Sequence, residues 1–333
     1  VVVMSEAKDV LPLETVGLVA KIEDGGFSIG LKSRLFSAFD RWLGLKFSKK
    51  SIQDEVSILE NRAVAEARIA VISHAADLAK ARLEENPTLV DRALQRLLFD
   101  EVRKQENREA VAELAVESLA LSSDVVDDVA DGAEVDDDWL NVFSRYSDDA
   151  SSERARSLWG RVLAGEVRRP GQFSVSTLRF LSELDQKVAK LFESVSPNVI
   201  EYFLIKEGGY VGEDFVLYNT LQNAGLISGF EGDQHVTVNL EEGVVARLVA
   251  KTVVLKVYST TTTSVKLKAM HLTEVGREIM TLLPLPKEEE NFRKLAKIVE
   301  KNAHVSKIEL FRAKDGAADE LIEVLFDRGH DEQ

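Results

Sequence analysis

At 333 residues, with 45% hydrophobic and 30% charged residues, the chain is long enough for two or three domains with real cores, and its composition excludes wholesale disorder. A formal charge of −15 argues against broad, sequence-independent DNA binding, which depends on neutralising phosphates. The lack of cysteine removes disulfides, thiolate catalysis and cysteine-ligated zinc, and the five histidines (74, 235, 271, 304, 330) are too scattered to suggest a metal pair. No metal or cofactor is expected.

No run of about 18 apolar residues is present to cross a bilayer as a helix. The opening VVVMSEAKDVLPLE lacks the basic region and apolar core of a secretory leader, and Val1 to Val3 read as an extension upstream of Met4. Residues 1–50 form a basic amphipathic segment, with eight Lys/Arg against six Asp/Glu. Within 27–50, Leu31, Leu35, Phe39 and Trp42 share a helical face, joined by Phe36 and Leu43, with Lys32, Arg34, Arg41 and Lys46 nearby. Two uses fit that pattern. Leu35, Phe36, Phe39, Trp42 and Lys46 could contact an anionic membrane surface, or the aromatic stripe could pack on the chain's own core.

Residues 51–123 read as a long helical hairpin. The stretch 51–85 is rich in Ala, Glu, Arg and Leu, and Asn86-Pro87 supplies a cap and a first-position proline for a second long helix. Two such helices joined by so short a turn predict an antiparallel pair about 50 Å long. His74 sits on an alanine-rich face, where a packing role is expected. Residues 124–138, with eight acids in fifteen positions, lack calcium-loop spacing and read as an acidic linker.

Residues 139–195 form a central helical domain around its clearest helix, 152–167. Ala155, Leu158, Trp159, Val162 and Leu163 recur at three- and four-residue steps, and Arg154, Arg161 and Arg168 lie seven apart on the other side, extended by Arg169. The arginines fit a phosphate or an acidic partner, or pairing with the chain's own Asp136 to Asp138, Asp148 or Asp149. Glu166 falls on the apolar side beside Trp159, where an unpaired charge is costly. A salt bridge, or capping of the next helix start at Ser174 to Ser176, is expected, not catalysis. Pro170 and Gly171 close the helix.

From Ser196 the pattern changes. Residues 213–224 predict a short helix that Gly225 stops. HVTVNLE, VVLKVYS and SVKLKAMHL alternate as strands, with the threonine turn 260–263 joining the last two, and Thr273 caps a closing helix. This order resembles a winged-helix domain over 196–283. Its expected recognition helix holds no Lys or Arg, so nucleic acid is not an expected partner, with only Lys251, Lys256, Lys266 and Lys268 left for a wing contact. Residues 284–333 form a C-terminal α/β extension of helix, strand, and an eight-residue run (DELIEVLF) that fits either state.

Neither a phosphate loop nor GxGxxG, HExxH or GxSxG occurs, and no enzyme activity is expected. Trp159, Leu163, Ala164, Gly165 and Glu166, followed by Pro170, Gly171, Phe173 and Ser174, resemble the shared segment of an uncharacterised bacterial group, domain-of-unknown-function family 2806. The layout is more weakly similar to the abortive-infection alpha proteins of phage defence. The resemblance implies a bacterial cytoplasmic protein and permits a defence role. The expected fold is mainly α with a smaller α+β part: long hairpin, central helical domain, winged-helix-like C-terminal domain. The expected function is non-enzymatic binding of a protein partner or self-association through helices, with Trp159, Glu166, Pro170 and Gly171 structural. The alternatives are a membrane-directed effector or sensor using residues 27–50, peripheral at the inner membrane, and a DNA-binding regulator.

Overall fold

Cap residues and apolar spacing account for most element ends. The structure, a computed structural model, describes residues 13–43, 87–121, 133–206, 210–284, 286–314 and 318–329. It is mainly helical, with two small antiparallel sheets, as the coarse fold class anticipated. The chain divides into two compact units between Arg179 and Phe180, inside one helix.

The first unit contains α1 (Leu13–Asp24), α2 (Ile29–Leu43), α3 (Pro87–Leu121), α4 (Asp137–Ser147), α5 (Glu153–Arg168) and the start of α6 (Val175–Glu183). Pro87 opens α3, whose 35 residues span about 52 Å. Residues 51–86, the other arm of the expected hairpin, lie outside the described residues, as do 122–132 of the acidic linker. Asp136 caps α4 by accepting from the Trp139 N–H at 2.9 Å, and Ser152 caps α5 by accepting from Ala155 N–H at 3.2 Å.

The core of this unit is where the second half of α3 lies along α5. Val111, Ala112, Ala115, Val116 and Leu119 are buried there against Trp159, Val162, Leu163 and Val167. The close approach depends on Gly160: a Cβ at that position would lie 2.8 Å from the Leu114 Cβ and 3.1 Å from the Ala115 nitrogen. Phe143 is the aromatic hub. It stacks on Trp139 at 5.1 Å and meets Trp42 and Trp159 edge-on at 5.2 and 5.7 Å.

The second unit holds the end of α6, then α7 (Gln186–Val195), β1 (Phe203–Ile205), α8 (Glu213–Asn223), β2 (Ile227–Ser228), β3 (His235–Leu240), β4 (Ala246–Val249), β5 (Val253–Ser259), β6 (Thr263–Leu272), α9 (Glu274–Met280), α10 (Glu288–Val299), β7 (Val305–Arg312) and β8 (Glu320–Asp327). β1, β2 and β3 all pair antiparallel with β6, and the second sheet runs β4-β5-β7-β8. Phe292, Leu295, Ala296 and Val299 of α10 share one core with Val253, Leu255, Val257, Ile308 and Leu310 of the second sheet and Val238, Leu240, Val265 and Leu267 of the first.

The structure decides two points about the strands. The threonine turn does join β5 to β6, but those strands do not form a hairpin. β5 pairs with β4 and β7 while β6 pairs with β3, so the turn is a crossing between sheets. It is held by His304, whose carbonyl accepts from Thr260 N–H at 2.9 Å and Ser259 Oγ at 3.0 Å. The undecided run near the C-terminus is strand β8, because β7 offers it a free edge.

Candidate functional site

The motif on α5 builds a clamp. Glu166 is 1% exposed, and its Oε1 accepts from Gly171 N–H at 2.6 Å while Oε2 accepts from Phe173 N–H at 3.0 Å. The expectation that it caps the start of α6 is corrected: the amides belong to the loop before that helix, which Ser174 caps instead by accepting from Thr177 N–H at 3.2 Å. Gln172 N–H donates to Arg169 C=O at 3.0 Å, closing a turn with Pro170 and Gly171 at its centre. Gly171 has φ +84°, the left-handed value such a turn requires after proline. Trp139 Nε1 donates to Phe173 C=O at 2.7 Å, and Gly165 leaves room for the Phe173 ring. A carboxylate spent at both oxygens on backbone amides fixes a loop.

Arg154, Arg161 and Arg169 are exposed, and Arg168 is half-buried with Nη2 3.3 Å from the Leu119 carbonyl. Three of the five acids suggested as their partners pair with other arginines, Asp148 with Arg108, Asp149 with Arg103 and Asp137 with Arg41, while Asp136 caps α4. The α3–α4–α5 junction instead carries a polar network that sequence reading missed. Fully buried Asn107 donates to Asp148 C=O at 2.7 Å and accepts from Arg156 Nε and Nη2 at 3.0 and 2.8 Å. Arg156 Nε also reaches Ala150 C=O at 3.1 Å. The hydrogen bond to Asp148 pushes the Arg108 pKa up, against burial, so the pair is a fixed ion pair. Apart from Arg156 and Ala150, these partners are 40 to 49 residues apart, beyond any local spacing rule.

The residues proposed for membrane contact are placed otherwise. Leu35, Phe39 and Trp42 are buried in the first unit's core and Phe36 is half-buried, while Lys46 lies outside the described residues. The physical reason is aromatic complementarity with Phe143, together with Arg34. Buried Arg34 donates from Nε to Val167 C=O at 2.9 Å, placing a cation at the negative end of α5. A membrane-directed role would require α2 to leave that core.

Among the described residues two apolar surfaces are exposed. Along α3, Leu89, Leu94, Leu97, Leu98, Phe99 and Val102 are exposed, Leu97 at 62% and Phe99 at 74%. Near α8, Val211, Phe215 and Val216 are exposed beside Glu213 and Asp214. Behind them Tyr210, Phe215 and Tyr218 ring the buried Phe230, with centroids 5.4 to 5.9 Å from it. Of the strand lysines, Lys256 lies over the Phe311 ring at 3.7 Å and pairs with Asp319, and Lys268 pairs with Asp233.

A cavity of about 220 Å³ is lined by the polar side chains of Asn198, Tyr210, Tyr218, Asn291 and Lys294. It offers no carboxylate or imidazole for proton transfer, and Lys294 is engaged by Glu290 at 3.3 Å. Among the described residues no group of three or more His, Asp or Glu is arranged to hold a metal ion, and no helix is long and apolar enough to cross a membrane.

Residues 91–202 match the family described as a protein of unknown function, DUF2806. The matched span contains the whole Glu166 clamp and the Asn107 network. No curated protein and no solved structure matches the chain.

Proposed function

We propose, from a family segment that carries no assigned activity, that this chain is a non-enzymatic interaction protein. It binds a protein partner, or itself, through its helices and its C-terminal module. The winged-helix-like reading of residues 196–283 is supported by the order α7, β1, α8, β2, β3, β6, α9 with three strands on β6. On this reading β4 and β5 are an insertion in the wing that recruits the second sheet.

The observation that carries the proposal is the character of α8, the helix that would enter a DNA groove. It begins Glu213-Asp214, contains no Lys or Arg, and exposes Phe215 and Val216 beside Val211. Phosphate contact needs cations. Exposed apolar side chains inside an acidic rim suit instead a protein surface that is apolar with a basic border. Cytoplasmic location and action in phage defence belong to the same proposal, the latter supported by the weaker likeness to abortive-infection alpha proteins.

A bacterial-lysate pull-down with the intact chain is expected to recover a partner that the double variant Phe215→Glu/Val216→Glu loses. Retention on duplex DNA that falls steeply and linearly with log salt overturns the proposal in favour of the DNA-binding alternative.

A further inference from the structure

Asn291 on α10 is 2% exposed, and only half of its carboxamide is met. Nδ2 donates to Pro197 C=O at 2.8 Å and to Val199 C=O at 3.2 Å. Both partners are carbonyl oxygens, so the nitrogen must face them and the oxygen must point elsewhere. Among the described residues nothing donates to Oδ1. A buried acceptor without a donor is uncommon in a folded protein and needs a reason. The reason lies next to it, because Asn291 lines the cavity of about 220 Å³.

That cavity has the other parts of a binding site, all within the second unit. Tyr210 and Tyr218 pack ring on ring, centroids 4.7 Å apart, as an aromatic wall, and Ile200 and Leu204 add apolar surface. Lys294 and Asn198 supply donors. The Lys294 ammonium has three protons and meets Glu290 at 3.3 Å and Asn198 Oδ1 at 3.5 Å, so one donor remains beside the Asn198 NH2 group. The volume equals roughly seven waters at about 30 Å³ each and falls short of sites for drug-sized ligands, about 300–1,000 Å³. It suits one ring.

We infer that this cavity binds a small flat cyclic amide, one ring in size, whose ring N–H donates to Asn291 Oδ1. The ligand's carbonyl oxygen accepts from Lys294 or Asn198, and its ring covers the tyrosine wall. A water molecule meets the Asn291 oxygen but leaves the apolar and aromatic surface wet, whereas a ring that brings its own donor relieves both. A bare carboxylate or phosphate fits less well, since it has no donor for Asn291 and Glu290 already stands beside Lys294. The inference is independent of the interaction reading and uses no residue of the Val211, Phe215 and Val216 surface.

The test uses the full chain and uracil, whose ring carries two N–H groups and two carbonyls, in saturation-transfer NMR. Uracil is expected to bind with a dissociation constant in the millimolar range or below. Its doubly N-methylated form, dimethyluracil, keeps the ring and both carbonyls but has no N–H. It is expected to bind at least about tenfold more weakly, the worth of one hydrogen bond. Lys294→Met, at a half-exposed position, is expected to weaken uracil binding severalfold with an unchanged circular dichroism spectrum. Asn291→Ala is expected to abolish the difference between the two ligands. If that variant does not fold, the two ligands on the wild type and on Lys294→Met decide alone. Uracil that does not bind at millimolar concentration, that binds no better than dimethyluracil, or that binds Lys294→Met as it binds the wild type overturns the inference. None of these results bears on a partner that depends on Phe215 and Val216.

Discussion

Glu166 shows how much a single carboxylate can organise. Its two hydrogen bonds tie the end of α5 to the loop carrying Phe173, and that loop in turn receives the Trp139 indole. Glu166→Gln replaces an acceptor oxygen by an NH2 group facing a backbone N–H, and is expected to cost about 1–3 kcal/mol in urea unfolding. Gly160→Ala is expected to cost a similar ~1–3 kcal/mol, because the added methyl meets Leu114 and the α3 backbone, which has no room to retreat. Glu309 offers a pH test. Burial by itself pushes its carboxyl up, but hydrogen bonds from Lys307 at 2.6 Å and Tyr258 at 2.8 Å outweigh burial and hold it below the usual carboxylate range. A lowered folded-state pKa gives stability that is present above the unfolded value, about 4.3, and is lost as pH falls through the folded one. Glu309→Gln is therefore expected to be less stable than the wild type at pH 7, and the two urea midpoints should converge in acid.

Among the elements, α3 does two jobs along its length. Its second half is a core helix, its first half exposes apolar side chains, and buried Asn107 marks the place where one gives way to the other. The Asn107 carboxamide joins α3 to the α4–α5 turn through Asp148 and through Arg156, which also reaches Ala150; Asn107, Asp148 and Ala150 are buried and Arg156 is half-buried. Asn107→Ala leaves the buried Asp148 carbonyl without its donor and takes an acceptor from the half-buried Arg156 guanidinium, with an expected loss of about 1–3 kcal/mol. Asn107→Asp is not a neutral substitute, since it removes the donor to that carbonyl. On the other side of the division, β5 and β6 are neighbours in sequence yet belong to different sheets. Each carries a full apolar inner face, and both faces are satisfied only if α10 and two sheets share one core.

The molecule as a whole offers a convenient optical division. Trp42, Trp139 and Trp159 are all its tryptophans, and all are buried in the first unit. Tryptophan fluorescence thus reports residues 1–179, while far-ultraviolet circular dichroism reports both units. The Glu309→Gln change is expected to move the dichroism transition at pH 7 and leave the fluorescence midpoint in place. Equal movement of both probes would show that the units unfold as one.

The sequence by itself determined the local structure. Asp136, Ser152 and Thr273 announce helix starts because a cap needs only a side chain and an amide two or three residues on. Pro87 opens α3, Gly225 ends α8, and the Trp159 stripe is a core face, all within the reach of one or two turns. It also marked Glu166 as a buried carboxylate needing a partner, and α8 as lacking the cations of a DNA reader. Only the tertiary structure decided which partners are met. Arg34 finds Val167 across 133 residues, and Asp148 goes to Arg108 instead of the Arg154 stripe. β5 turns to β7, and the aromatic face of α2 goes into the core. Periodicity says which side of an element is apolar. It cannot say what that side touches, because the choice among equally apolar or equally charged partners is made by shape and burial over the whole unit.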